Sequence, residues 1–399
     1  MKTNIRTSTR TRRLHLPLAI GVTATLLGAC GTAQEGTSAT GGGDSPKCAN
    51  ADEAQAQYEK AWTETAGQLG LDKLEPTKET VCQVDTSKWA AEPKSGDKYR
   101  IAFAAQGPTN SWALTNEEAF KFHANEVGVD VLYAAANGDA TVQVDNIQQL
   151  ASQDPDAMVI VPMGEGITGQ VQAAAAQGIP VVLCAGRLGD GSGAVSTVTR
   201  QYELLGTAYA EWLVQELGGK GQVAVLSGLA GVPTAEFQKA AAMKVFKRYP
   251  GIDVVTEQYT EWSPTVAKTV AANLVTQYPD LAGIWSDSGY GDLGVVQAYQ
   301  EAGKPVPPVT GDAINAFLKA VKGTDVKFAL SSFPPEQSMD CLDTAMEILK
   351  GEPVLDKVYI NSPSFTQAEI DKFVRPECSD NLFVPATLPD EELSRLELC

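Results

Sequence analysis

The chain has 399 residues, 43% of them apolar and 20% charged, with 31 basic against 49 acidic residues and a net charge of -18. That length is a prior for two or three domains with a large buried core, and the composition excludes disordered and collagen-like chains. A body this acidic repels phosphate backbones, which argues against nucleic acid as a partner, and with only two histidines, His15 and His123, a two-histidine metal site is excluded once the leader is removed.

Met1 to Arg13 is basic, Leu14 to Leu27 is mostly apolar, and Gly28-Ala29 are small residues before Cys30, the order of a secretory signal. The apolar run is too short to span about 30 Å of hydrocarbon as a helix. Leu27-Gly28-Ala29-Cys30 resembles the lipobox of bacterial lipoproteins, which implies removal of residues 1–29, lipidation of Cys30 and stable anchoring by two acyl chains. Arg12-Arg13 leaves twin-arginine export open beside the general route. Residues 30–47, rich in Gly, Ser and Thr, form a flexible tether spanning on the order of 20–25 Å.

An N-terminal extension covers residues 48–97, with a polar helix from Ala51 to Leu69. Short apolar runs then alternate with amphipathic segments: Tyr99 to Ala105, Val129 to Ala136, Ala157 to Met163 and Pro180 to Cys184. The rhythm restarts at Gln222 to Ser227 and continues through Asp253 to Tyr259, Ala282 to Trp285, Val306 to Thr310 and Phe328 to Ser332. Continuous apolar strands separated by helices predict an α/β fold of two lobes, each with a parallel sheet covered on both faces. A ligand then belongs in the cleft between the lobes, outside the carboxyl ends of the strands.

The even set of six cysteines after Cys30 suggests disulfides in an exported chain; proximity favours Cys48 with Cys82 and Cys378 with Cys399, while Cys184 reads as a buried small hydrophobe. Gly164 to Gly169 matches G-x-G-x-x-G, but it follows the third strand and carries Glu165 where a pyrophosphate would sit, so it reads as a plain strand-to-helix turn. No cofactor or metal site is expected.

Candidate binding residues gather where strands end. Gln106, Asn110 and Trp112 follow the first strand, Arg187 the fourth, Trp262 the second strand of the second half, Asp287 and Ser288 the third, and Asp312 the fourth. Amides and carboxylates pair with neighbouring hydroxyls, and aromatic faces suit the C–H faces of sugar rings or a cation. Asp287 and Asp312 could also form the carboxylate pair of a glycosidase, though no other catalytic signature accompanies them.

With these landmarks in order, residues from about Tyr99 to about Thr366 resemble the type I periplasmic sugar-binding proteins of ABC importers, the ribose- and galactose-binding group. Ile101 to Trp112 (IAFAAQGPTNSW) looks like the first strand and ligand loop; Ile179 to Val182 leads to the loop where Cys184-Ala185-Gly186 replaces an acid and Arg187 follows. The cleft arginine of that family falls near Gln238 or Lys239, Asp287-Ser288 looks like its ligand-contacting Asn-Asp segment, Asp312 matches its late Asp, and Phe333-Pro334-Pro335 resembles a hinge crossing.

The resemblance implies two Rossmann-like lobes joined by three crossovers: residues 98–200 plus 336–355 as lobe one, 201–335 plus 356–366 as lobe two, and 367–399 as a C-terminal extension. Together with the lipobox-like Leu27 to Cys30, the expectation is a monomeric, non-enzymatic, lipid-anchored binding protein on the outer face of the bacterial cytoplasmic membrane. Such a protein takes a sugar or sugar-like polyol in its cleft and delivers it to a permease. A sensor for a membrane receptor, or a binder of a cationic small molecule, stays open as an alternative.

Overall fold

The computed structural model describes residues 48–94 and 96–399; the expected leader, Cys30 and the tether lie outside these residues. β1 (Cys48–Asn50) and β2 (Cys82–Val84) pair antiparallel across α1 (Asp52–Gln68). The inner face of α1 buries Tyr58 and Trp62 against the second lobe, so the extension is docked rather than free.

Lobe one is built from β3 (Arg100–Ala105), α2 (Ser111–Val127), β4 (Asp130–Ala135), α3 (Ala140–Ala151), β5 (Ala157–Ile160), α4 (Thr168–Ala176), β6 (Val181–Cys184) and β7 (Ser196–Thr199). β3, β5 and β6 are buried on both faces, which explains their unbroken apolar sequences. β7 reads Ser-Thr-Val-Thr and escapes an apolar-run reading, yet it pairs parallel to β6 with Leu183 opposite Thr197.

The chain crosses to lobe two at Arg200 and Gln201. There follow α5 (Tyr202–Glu216), β8 (Gly221–Ser227), α6 (Pro233–Phe246), β9 (Ile252–Tyr259), α7 (Pro264–Gln277), β10 (Leu281–Ser286), α8 (Gly289–Glu301), β11 (Val309–Asp312), α9 (Asn315–Val321) and β12 (Phe328–Ser331). A second crossing through Phe333-Pro334-Pro335 leads to α10 (Gln337–Lys350), which packs on α2 and the lobe-one sheet.

Residues 356–366 were expected in lobe two, and the pairing corrects this. β13 (Val354–Leu355) joins β2, and β14 (Lys357–Tyr359) extends the lobe-one sheet parallel to β7, with Val358 opposite Val198. Only β15 (Ser364–Thr366) belongs to lobe two, antiparallel to β12. The third crossing therefore lies between Tyr359 and Ser364. Its physical cause is that β7 would otherwise be an unpaired edge next to a chain passing in register.

The sheet orders are β4-β3-β5-β6-β7-β14 in lobe one and β9-β8-β10-β11-β12-β15 in lobe two. Both sheets run parallel except for the β15 edge, as the alternation of strands and helices predicted. α11 (Ile370–Phe373) and α12 (Asp390–Arg395) complete the C-terminal extension.

Cys378 and Cys399 are joined by a disulfide, and Cys82 is disulfide-bonded. Cys184 is not an isolated hydrophobe: it is bonded to Cys341 of α10, 157 residues away, and both are fully buried. Proximity along the chain could not find that pair, because the second crossing brings α10 back onto β6.

Candidate functional site

The loops at the carboxyl ends of both sheets line a cleft between the lobes. On the lobe-one side, Asn110 caps α2, its Oδ1 accepting from the Ala113 N–H at 2.9 Å, and this cap aims the next turn inward. Trp112 follows on that turn. Its indole stacks on Phe333 of the second crossing, with centroids 4.7 Å apart and planes at 19°, and Nε1 donates to the Phe333 carbonyl at 2.9 Å. Gln106, at the end of β3, lines the same wall.

On the lobe-two side, Glu261 and Trp262 both adopt left-handed backbone, φ 55° and 49°, which non-glycine residues rarely do. Backbone bonds impose the turn: the Thr260 N–H donates to the Ser227 carbonyl at 2.7 Å and the Glu261 N–H to that of Gly228 at 3.0 Å. The Trp262 ring then lies so close to Gly228 that a Cβ there would come within 2.0 Å of it. Gly228 is thus the floor on which the cleft indole rests. Ser288 caps α8, accepting from the Gly291 N–H at 3.2 Å, and Tyr290 follows, its hydroxyl hydrogen-bonded to Ser111 across the lobes.

Of the ten residues expected at the site, seven line this cleft: Gln106, Asn110, Trp112, Trp262, Ser288, Asp312 and Phe333. Three do not. Arg187 turns away to pair with Glu203 and lies 3.7 Å over the Phe237 ring. Gln238 is buried inside α6, and Thr234, one turn earlier, faces the cleft in its place. Asp287 is 3% exposed and accepts from the Ser227 hydroxyl at 2.8 Å, beneath the cleft floor.

Sequence reasoning missed the group that decides the electrostatics. Arg200, at the first crossing, forms a two-pronged pair with Asp312, Nη1 to Oδ1 at 2.5 Å and Nη2 to Oδ2 at 3.1 Å, with its guanidinium 3.8 Å over the Phe333 ring. Burial alone would lower the Arg200 pKa, but the adjacent carboxylate more than offsets it and holds the guanidinium charged. An arginine right after a strand and before a helix was the available signal; β7 being unread, that end of strand was invisible. Asp312 is the one charged residue among the described residues lining the cleft, and Arg200 neutralises it. The rest of the wall joins aromatic and aliphatic residues, including Val161, Met163 and Leu229, to the uncharged polar side chains of Gln106, Asn110, Thr234 and Ser288.

Asp287 and Asp312 are accordingly not an acid and nucleophile facing one substrate: the first is below the surface and the second is held by Arg200. Desolvation pushes Asp287 up to about 7. In the folded protein it binds a proton that the unfolded chain releases near pH 4, so stability falls as pH rises from about 4 to about 7, by on the order of 4 kcal/mol for this group. Asp287→Asn is expected to flatten part of that fall, measured as urea midpoints at pH 4.5 and 7.5. An unchanged slope would mean that Asp287 is ionised in the native state.

In the fingerprint-like Gly164 to Gly169 loop the Glu165 carboxylate accepts from the Gly189 N–H at 3.0 Å, so the loop carries a negative charge where a pyrophosphate would have to sit. Among the described residues, the metal-capable cluster is Glu377, Cys378 and Cys399, and its two cysteines are consumed by their disulfide.

Comparison with known proteins agrees with this architecture. A family model described as a periplasmic binding protein domain matches residues 101–353. A xylitol-binding protein of Mycolicibacterium smegmatis is 27% identical over 268 residues, covering 66% of this chain and 76% of that protein. The ribose import binding protein of Bacillus subtilis is 24% identical over 279 residues, covering 69% and 90%. Among solved structures, an ABC transporter solute-binding protein of Mycobacterium smegmatis with bound glycerol superposes with a TM-score of 0.65 at 25% identity, covering 70% of this chain and 98% of that one.

Proposed function

Because the chain belongs to the periplasmic binding protein family, we propose that it is the substrate-binding protein of an ABC importer and captures a neutral sugar or sugar-like polyol between its lobes. The observation that carries this reading is the cleft wall itself: indoles from both lobes, with its single carboxylate already matched by Arg200. Indole faces cover the C–H faces of a sugar ring, and a neutral site does not favour a free ion. The names of relatives that bind xylitol and ribose point the same way. The cationic-ligand alternative keeps only the aromatic faces of the cleft in its support, since the one carboxylate there is already paired with Arg200.

The protein's own groups bind and orient; they carry out no bond chemistry. The lobes meet through the Ser111–Tyr290 bridge and the Arg200–Asp312 pair, so closing on a ligand shifts a hinge equilibrium by the ligand's differential affinity for the closed form. Export with lipidation at Cys30 would tether the body to the outer face of the cytoplasmic membrane, where a permease receives the released solute.

A thermal-shift panel of pentoses, hexoses, polyols and quaternary amines tests the reading. A ligand at 100 times its Kd adds about 2.7 kcal/mol to stability, so one neutral sugar or polyol is expected to raise Tm by several degrees. Trp262→Ala should weaken that ligand at least tenfold, about 1.4 kcal/mol. Stabilisation by amines alone, or full affinity in the variant, would overturn the assignment.

A further inference from the structure

The family match ends at residue 353, yet the cleft does not. Phe383, 7% exposed, reaches it from the C-terminal extension and meets Tyr290 edge-on, with centroids 6.3 Å apart and planes at 81°. Phe383 is not a loose flap. It forms a β-bridge with Ile314 of lobe two, the Val384 N–H donates to the Ala313 carbonyl at 3.1 Å, and the Asn315 N–H donates to the Leu382 carbonyl at 2.8 Å. The Asn315 side chain clamps Arg375 on both sides, Nδ2 donating to its carbonyl at 2.7 Å and Oδ1 accepting from its N–H at 2.9 Å.

The same segment also reaches the other lobe. The Thr387 N–H donates to Glu336 at the second crossing at 3.2 Å, and Arg395 donates to Glu118 on α2 at 3.0 Å. The Cys378–Cys399 disulfide closes the segment on itself, and Leu382, Val384 and Leu388 are buried in the main core. A wall residue held this firmly presents a fixed apolar surface to whatever fills the cleft.

Most polar groups around that surface are already committed. Both Asp312 oxygens face Arg200, the Asn110 Oδ1 and Ser288 Oγ accept helix N–H groups, and the Tyr290 hydroxyl and Trp112 indole N–H have protein partners. Among the described residues, the Gln106 amide and the Thr234 hydroxyl are the cleft side chains left wholly open for hydroxyl recognition, helped by Nδ2 of Asn110 and the Trp262 indole N–H. A ligand hydroxyl pressed against Phe383 would lose its water without gaining a partner, at a cost of about 1–3 kcal/mol.

We propose that the C-terminal extension completes the ligand site, and that Phe383 sets its specificity by facing an apolar edge of the ligand. The ligand class is then a neutral sugar with such an edge, a 6-deoxyhexose or a methyl glycoside, in preference to a fully hydroxylated counterpart. This rests on the sugar-binding reading above.

The test is calorimetric titration of the full chain with matched pairs: D-galactose and D-fucose, L-mannose and L-rhamnose, D-glucose and methyl α-D-glucoside, with D-ribose and xylitol alongside. At least one deoxy or methylated member is expected to bind tenfold or more tightly than its parent. Phe383→Ala should weaken that member more than its parent, until the pair differs by less than about threefold. Phe383→Tyr keeps the ring and its packing and adds a hydroxyl, and it should shift preference toward the parent, so the proposal does not hang on the alanine variant folding. Tighter binding of the parents, an unchanged ratio in both variants, or binding confined to ribose or xylitol would overturn this proposal and leave the sugar-binding reading standing. Binding to none of the eight compounds would overturn the sugar-binding reading and this inference with it.

Discussion

Replacing Arg200 with alanine is expected to cost about 3–5 kcal/mol of stability and to remove ligand binding. The guanidinium is 3% exposed at its side chain and Asp312 8%, so neither charge has water to fall back on. Without Arg200, Asp312 must either stay charged and desolvated or take up a proton, and both choices are costly beside the buried carboxyls of Asp287 and Asp292, which desolvation already pushes above the ordinary carboxylate range. The same substitution also removes the cation over Phe333, the ring on which Trp112 stacks. Urea unfolding reads the stability and titration of the ligand reads the site. A buried pair is replaceable by apolar residues more readily than it is breakable, so Arg200→Leu combined with Asp312→Leu should recover much of the lost stability but not the binding. A wild-type midpoint in Arg200→Ala would mean that the pair is solvated and does not organise the cleft.

Removing the Cys184–Cys341 disulfide should have an effect of similar size. The bond closes a loop of 157 residues, for which the chain-entropy model gives about 5 kcal/mol of destabilisation of the unfolded state. Alanine at both positions keeps the buried site apolar and isolates the cross-link from any cost of exposing thiols. Cys184 immediately precedes Ala185, which lines the cleft, and Cys341 lies on α10, which packs against that strand. The double variant should therefore unfold at much lower denaturant and bind its ligand more weakly. Reductant during unfolding should shift wild type by more than it shifts the variant, in which only the other disulfides remain to be reduced. Equal shifts in both proteins would show that this bond carries little of the stability.

How much could be read beforehand follows from what each element presents to the eye. β3, β5, β6, β8 and β10 are buried on both faces and therefore continuous in apolar residues, so the two lobes and their parallel sheets were legible. β7 and β14 were not: one is Ser-Thr-Val-Thr and the other three residues long, and they are strands because a neighbour offers them backbone partners. Seven cleft residues were found because ligand loops follow legible strand ends. Arg200 was hidden behind the unread β7. Arg187 and Gln238 were placed by position in a motif, whereas their orientation depends on Glu203, Phe237 and the packing of α6. Phe383 lay beyond any landmark, because its place in the cleft is set by β-bridging to Ile314, some seventy residues earlier in the chain.

One neutral sugar or polyol is expected to bind per chain, in the cleft between Trp112 and Trp262. Isothermal titration of the full chain and of Trp262→Ala, side by side with the compound that most stabilises the wild type, tests it most directly. Saturation is expected at one ligand per chain, with an affinity at least tenfold lower in the variant. Equal affinity in the two proteins, or heat only with a quaternary amine, would contradict it.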